Sequence, residues 1–183
     1  MHICVYCSSS NDIALGYFDA ARALGTVLAQ RGWLLVYGGG SVGLMGAVAK
    51  AVHSSGGTVI GIIPQALLDR EVGYLEADEL IVTTTMRERK RLMDERADAF
   101  VTLPGGFGTL EELLEIITLK QLHYHDKPII IVNMDGFYDP LLDQFARIFE
   151  AGFASKRFLQ TSGTPNLYTV VDSVEAAVAL LAQ

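Results

Sequence analysis

A doubly wound α/β domain, with a mainly parallel sheet flanked by helices, is predicted by three observations on this 183-residue chain. Short apolar runs alternate along its whole length with longer segments of helical period. The runs are apolar at consecutive positions, as in Trp33-Leu34-Leu35-Val36-Tyr37 and Ile129-Ile130-Ile131-Val132. That pattern means burial on both faces, as in a parallel sheet covered by helices. Glycine loops fall at the carboxyl ends of the runs, where such sheets bind ligands.

In chain order, the first strand is expected over 2–7, around Ile3-Cys4-Val5-Tyr6, with a helix over 12–31. A strand over 33–37 leads through a glycine loop into a helix over 42–55, and a third strand covers 58–62. Residues 64–78 are irregular and acidic, a loop or short helix over the site. Strand 79–84 precedes a basic helix over 86–97, and strand 98–103 precedes a second glycine loop and a helix over 109–124. Strand 128–133, helix 138–151, a short strand near 167–171 and helix 173–182 complete the chain. With half its residues hydrophobic, the chain fills one domain, 1–183, and is too short for two ordinary ones.

Composition narrows the function. Fourteen basic against 21 acidic residues give a net charge of −7, which disfavours nucleic-acid partners. No apolar run approaches a membrane span, and no signal peptide is read, so a cytoplasmic protein is expected. Cys4 and Cys7 have redox-motif spacing but straddle a strand end, where positions i and i+3 face opposite ways. They read as buried thiols. His123-Tyr124-His125-Asp126 looks metal-like, yet it sits at a helix end, where histidines act as caps, so no metal is expected.

Three constellations carry chemistry. Gly38-Gly39-Gly40-Ser41-Val42-Gly43-Leu44-Met45-Gly46 formally contains a dinucleotide fingerprint. The strand after it ends in Ile62-Ile63-Pro64, without the acid that would hold a ribose, so NAD is disfavoured. This loop, with Gly39, Gly40 and Met45, reads either as a tight turn or as a backbone surface for part of a nucleotide. Pro104-Gly105-Gly106-Phe107-Gly108-Thr109-Leu110-Glu111-Glu112 places glycines and a helix start after a strand, which makes a phosphate cradle. Thr109-x-x-Glu112 also has the spacing of a capping box, with Thr109 as the cap. A carboxylate in a first helical turn is held ionised by the helix dipole, which suits a base or a cation stabiliser. In Met86-Arg87-Glu88-Arg89-Lys90-Arg91-Leu92-Met93, a helical wheel puts Arg89 inside the apolar arc of Met86, Leu92, Met93 and Ala97. Lys90 falls at its edge, and Arg87 and Arg91 point away. A cation among core residues needs an anion, either a phosphate or a carboxylate such as Glu112 or Glu71.

Taken together, these residues resemble the Lonely Guy family, the cytokinin riboside 5′-monophosphate phosphoribohydrolases, many of which were once labelled lysine decarboxylases. The resemblance covers nearly the whole chain. It rests on Gly38 to Gly46, Arg89-Lys90, Pro104 to Glu112, and Asp126-Lys127-Pro128 with Asn133 and Asp135-Gly136. It implies a Rossmann-like fold, a homodimer or larger homo-oligomer with sites near the interface, and hydrolysis of a nucleoside 5′-monophosphate to free base and ribose 5-phosphate. By motif it implies Arg89 and Glu112 as the catalytic pair and Lys90, Gly105, Gly106, Phe107, Gly108 and Thr109 as substrate contacts. It also implies Glu71 as a substrate-binding glutamate. The chain departs from the family in reading Ser8 where glycine is frequent and Arg87 where histidine is common. Decarboxylation of lysine would require pyridoxal phosphate on a lysine, and none of the five lysines has that context. No cofactor is expected. A non-catalytic nucleotide carrier of the same fold is the alternative.

Overall fold

The computed structural model describes residues 1–70, 73–159 and 166–182. Seven strands, β1 (His2–Tyr6), β2 (Leu34–Tyr37), β3 (Val59–Pro64), β4 (Glu79–Thr83), β5 (Ala99–Thr102), β6 (Ile129–Val132) and β7 (Thr169–Val171), form one sheet. Its order is β4-β3-β2-β1-β5-β6-β7, and each neighbouring pair is parallel. The helices are α1 (Leu15–Gln30), α2 (Gly43–Ser54), α3 (Gln65–Leu68), α4 (Met86–Arg96), α5 (Phe107–Gln121), α6 (Asp139–Glu150) and α7 (Val174–Leu181). The chain winds outward from β1 to β4, returns to β5 beside β1, and winds outward again. The carboxyl ends of β1 and β5 therefore flank the crevice where the winding reverses, the usual ligand position in such sheets.

The alternation of side chains along each strand builds two cores. On one face, Ile3, Val5, Leu35 and Val101 pack with Leu24, Leu28, Val48, Val52 and Ala177 of α1, α2 and α7. On the other, Cys4, Tyr6, Phe100 and Ile131 pack with Met93, Leu113, Ile117 and Phe145 of α4, α5 and α6. Cys4 and Cys7 fall in opposite cores as free thiols, and burial raises both pKa values well above the ordinary thiol range. They are protonated packing groups, not nucleophiles.

Three expectations shift. β4 and β7 are half exposed because an edge strand has a neighbour on one side only, and β7 begins at Thr169 rather than 167. Helix α1 starts at Leu15, not at 12. Helix α5 starts at Phe107, two residues before the expected 109, and stops at Gln121, with His123 in the left-handed region at φ 64°. In the irregular stretch, α3 is a single short helix and Gly73 forms an antiparallel bridge with Gly40. Glu71 lies outside the described residues.

A capping box does occur, but on α4. The Thr85 hydroxyl accepts the amide of Glu88 at 3.1 Å, and Glu88 Oε2 accepts both the amide and the hydroxyl of Thr84 at 2.9 Å. These bonds fix where α4 begins and so turn Arg89, Met93 and Ala97 into the core. Met86, placed by the wheel on the same arc, is 44% exposed, because it sits at the first helical position beyond the edge of the core. Replacing Thr85 by Ala should cost about 1 kcal/mol of stability, read as a lower midpoint in urea unfolding.

Candidate active site

Arg89 and Glu112 meet. They lie on facing sides of α4 and α5, and the Arg89 Nη1 donates to Glu112 Oε1 at 2.5 Å. Their side chains are only 7% and 9% exposed. Arg89 Nε donates to the carbonyl of Ile62 at the end of β3 at 3.0 Å. The guanidinium is thus held at two points, so its plane and direction are fixed. Gly38, at the end of β2, packs on the same guanidinium: a Cβ there would lie 2.1 Å from Nη2.

Glu112 is not the partner of a helix cap. The cap of α5 is Gly106, which puts Thr109 at the third helical position and Glu112 at the sixth. Three residues of shift in the cap, from Thr109 to Gly106, move the carboxylate from the helix mouth to the core-facing side of the second turn. Its protonation follows burial rather than the dipole. Desolvation raises its pKa above the ordinary glutamate value, against the lowering effect of the Arg89 charge and hydrogen bond. The expectation of a carboxylate held ionised by the helix end is therefore corrected.

The two glycine loops, similar in sequence, have different states. At α2, the first three amides are taken. Gly43 donates to Asn11 Oδ1 at 2.9 Å, and Leu44 and Met45 donate to the carbonyl of Ser8 at 2.9 and 3.3 Å. The segment after β1 thus fills the mouth of α2. At α5, the amides of Phe107, Gly108 and Thr109 have no acceptor among the described residues. Gly106 and Gly108 face open space, and Phe107 is 92% exposed. The loop's entry is nevertheless rigid. Gly105 sits against Thr109, where a Cβ would fall 2.1 Å from Oγ1, and the Tyr138 hydroxyl donates to the Leu103 carbonyl at 2.8 Å. An open row of amides on a fixed helix start can hold an anion.

Lys90 is drawn to α5, where its Nζ pairs with Glu111 and, at 2.6 Å, with Glu115. Arg91 pairs with Glu95 on its own helix. A cleft of about 290 Å³ opens between α4 and α5, lined among others by Tyr6, Arg87, Lys90, Glu112, Ile116 and Tyr124. Arg87, expected to point outward, is exposed and lies on the rim of this cleft. Tyr6 and Tyr124 were missed because an aromatic in a strand or at a helix exit gives no functional signal by itself. Gly39, Gly40 and Met45 gather beside Arg89 and Gly38, with the Met45 methyl 2.7 Å from where a Gly40 Cβ would stand. Of the metal-like residues, His125 Nε2 bonds the carbonyl of Ile116 at 3.0 Å, a carbonyl inside α5 and not at its end, so the expected helix cap is replaced by a bond to the side of the helix. Among the described residues no group of three or more metal-ligating side chains converges.

The chain is similar to known proteins. A family profile described as possible lysine decarboxylase matches residues 45–181. The cytokinin riboside 5′-monophosphate phosphoribohydrolase LOG2 of Arabidopsis thaliana is 50% identical over 153 residues, covering 84% of this chain and 72% of its own. The enzyme LOG of Oryza sativa subsp. japonica is 51% identical over 154 residues, covering 84% of this chain and 64% of its own. Among solved structures, a molybdenum cofactor carrier protein from Chlamydomonas reinhardtii superposes with a TM-score of 0.73 at 25% identity, over 100% of this chain and 96% of that one.

Two substitutions test the pair. Arg89→Ala would strand a buried carboxylate and should cost about 3–5 kcal/mol in urea unfolding. Gly38→Ala should leave the sheet intact but push the guanidinium off Glu112, visible as an altered side-chain position in a crystal structure of the variant.

Proposed function

We infer the activity from membership: the chain belongs to the Lonely Guy family of cytokinin riboside 5′-monophosphate phosphoribohydrolases. Its reaction is the hydrolysis of the N-glycosidic bond in a nucleoside 5′-monophosphate, such as AMP or its N6-isopentenyl derivative, to free base and ribose 5-phosphate. The observation that carries this reading is the buried Arg89–Glu112 pair beside an unfilled row of helix-start amides.

The geometry suggests a division of labour. The amides from Gly106 to Thr109 hold the 5′-phosphate and so fix the ribose. As the bond from C1′ to the base breaks, positive charge grows on the sugar. The Glu112 carboxylate faces that charge and orients the attacking water, taking its proton as the new C1′–O bond forms, while the base leaves with the electrons of the C1′–N bond and is protonated from solvent. Arg89 keeps Glu112 ionised against the cost of burial and sets the direction of its free oxygen. Lys90 sits one helical position further on and, through Glu111 and Glu115, tethers α4 to α5 along the cleft. Gly39, Gly40 and Met45 form the wall behind Arg89, and Glu71 completes the substrate contacts. A carrier of this fold would bind the nucleotide and release no base, so product chromatography separates the two readings.

We also propose a homo-oligomer. Leu114, Leu122 and Tyr124, on α5 and its exit, are exposed, Tyr124 at the cleft, and burial against a second copy would remove them from water. A cytoplasmic location fits the two free thiols. Among the described residues, no helix is long and apolar enough to cross a membrane.

Glu112→Gln keeps the shape and should lower kcat for AMP hydrolysis by roughly 10²–10⁴-fold, measured as adenine released. Undiminished release from a folded variant would remove Glu112 from the chemistry. Because burial raises the Glu112 pKa and the ionised form is the active one, activity should fall as pH drops. The acid limb of kcat/KM should lie above the ordinary glutamate value of 4.5.

A further inference from the structure

Away from the site, His53 near the end of α2 sits between two polar side chains of the segment that follows Gly73. Its Nδ1 is 2.8 Å from the Tyr74 hydroxyl and its Nε2 is 2.9 Å from Asp78 Oδ2. The same Asp78 oxygen accepts the amide of Val59 at 2.8 Å, at the start of β3. A carboxylate only accepts, so Nε2 donates to Asp78, and Nδ1 and the Tyr74 hydroxyl share the second bond. Tyr74 is buried in the core beneath α2. The row Tyr74–His53–Asp78 therefore ties α2, β3 and this segment together in one hydrogen-bonded chain.

The segment it ties is in contact with the site. The Tyr74 amide donates to the Gly39 carbonyl at 2.9 Å, and Gly73 bridges Gly40. From below, the Tyr37 hydroxyl donates to the Gly40 carbonyl at 3.1 Å. Gly39 and Gly40 follow Gly38, whose Cα packs on the Arg89 guanidinium. Mechanical continuity thus runs from His53 through Tyr74 and the glycine loop to Arg89.

We propose that His53, Tyr74 and Asp78 form a latch of positioning residues that holds the Gly38–Gly40 loop against Arg89 for nucleotide binding. None of the three enters the chemistry. The proposal rests on the nucleotide-hydrolase reading for its kinetic arm but not for its structural arm. The Arg89–Glu112 bond is made independently of the latch, so loosening it weakens substrate binding more than turnover.

The test uses the full chain with His53→Ala and Tyr74→Phe, the second being the milder change. Two quantities are measured well below the unfolding transition: KM and kcat for AMP, and hydrogen exchange at the Tyr74 amide, which reports the bond to Gly39. The expected result is a KM raised about tenfold in His53→Ala and less in Tyr74→Phe, with kcat changed much less, and faster exchange of the backbone amide at position 74 in both. Wild-type KM with a lowered unfolding midpoint would show a purely structural network and overturn the proposal. So would unaltered exchange at Tyr74. If the parent chain releases no base from any nucleotide, the hydrolase reading fails on its own. The exchange at Tyr74 then still decides the latch.

Discussion

The buried ion pair between Arg89 and Glu112 is the constraint on which the rest of the site depends. Two charges this far from water are tolerated only when each is matched in charge and in direction. Direction is the demanding part. It requires α4 to begin at Met86 behind its Thr85 cap, α5 to begin at Phe107, β3 to turn the Ile62 carbonyl toward the guanidinium, and Gly38 to carry no side chain. A pair satisfied in this way is rigid before any ligand arrives, which is the condition for electrostatic stabilisation without reorganisation.

The sheet topology explains why this pair lies where it does. β1 and β5 are neighbours in space but distant in sequence, so the helices that follow β4 and β5 face each other across one crevice. Both start at the carboxyl edge of the sheet. The mouth of α2 lies at the same edge but is closed by Ser8 and Asn11, which leaves the mouth of α5 open. Two loops of similar glycine content thus divide into one whose helix mouth is filled and one whose first amides have no acceptor among the described residues. The chain after β1 makes that difference.

Much of the fold was legible in the sequence. Uninterrupted apolar runs are readable because both faces of an inner strand contact helices, and this held for β1, β2, β3, β5 and β6. It weakened at β4 and β7, whose outer edges are unpaired and whose burial is therefore partial. The misplaced position of Arg89 on its helical wheel was a reliable sign, since an unpaired charge in a core is too costly to be accidental. Helix starts were less legible. Thr109-x-x-Glu112 and Thr85-x-x-Glu88 have the same cap spacing, and only the second caps a helix. Local sequence does not distinguish them, because the start of α5 is fixed by Gly106 and by packing of Thr109 against Gly105.

The sequence by itself determined the alternation of strands and helices, the glycine loops at strand ends, the demand of Arg89 for an anion, and the family. Each is set by local period, local chemistry or motif. Only the tertiary structure decided which anion Arg89 takes, that Lys90 answers to Glu111 and Glu115, that the mouth of α2 is filled, and that His53 reaches Tyr74 and Asp78. These are contacts between residues distant along the chain, and their energies depend on burial and direction. Neither exists until the sheet has brought the helices together.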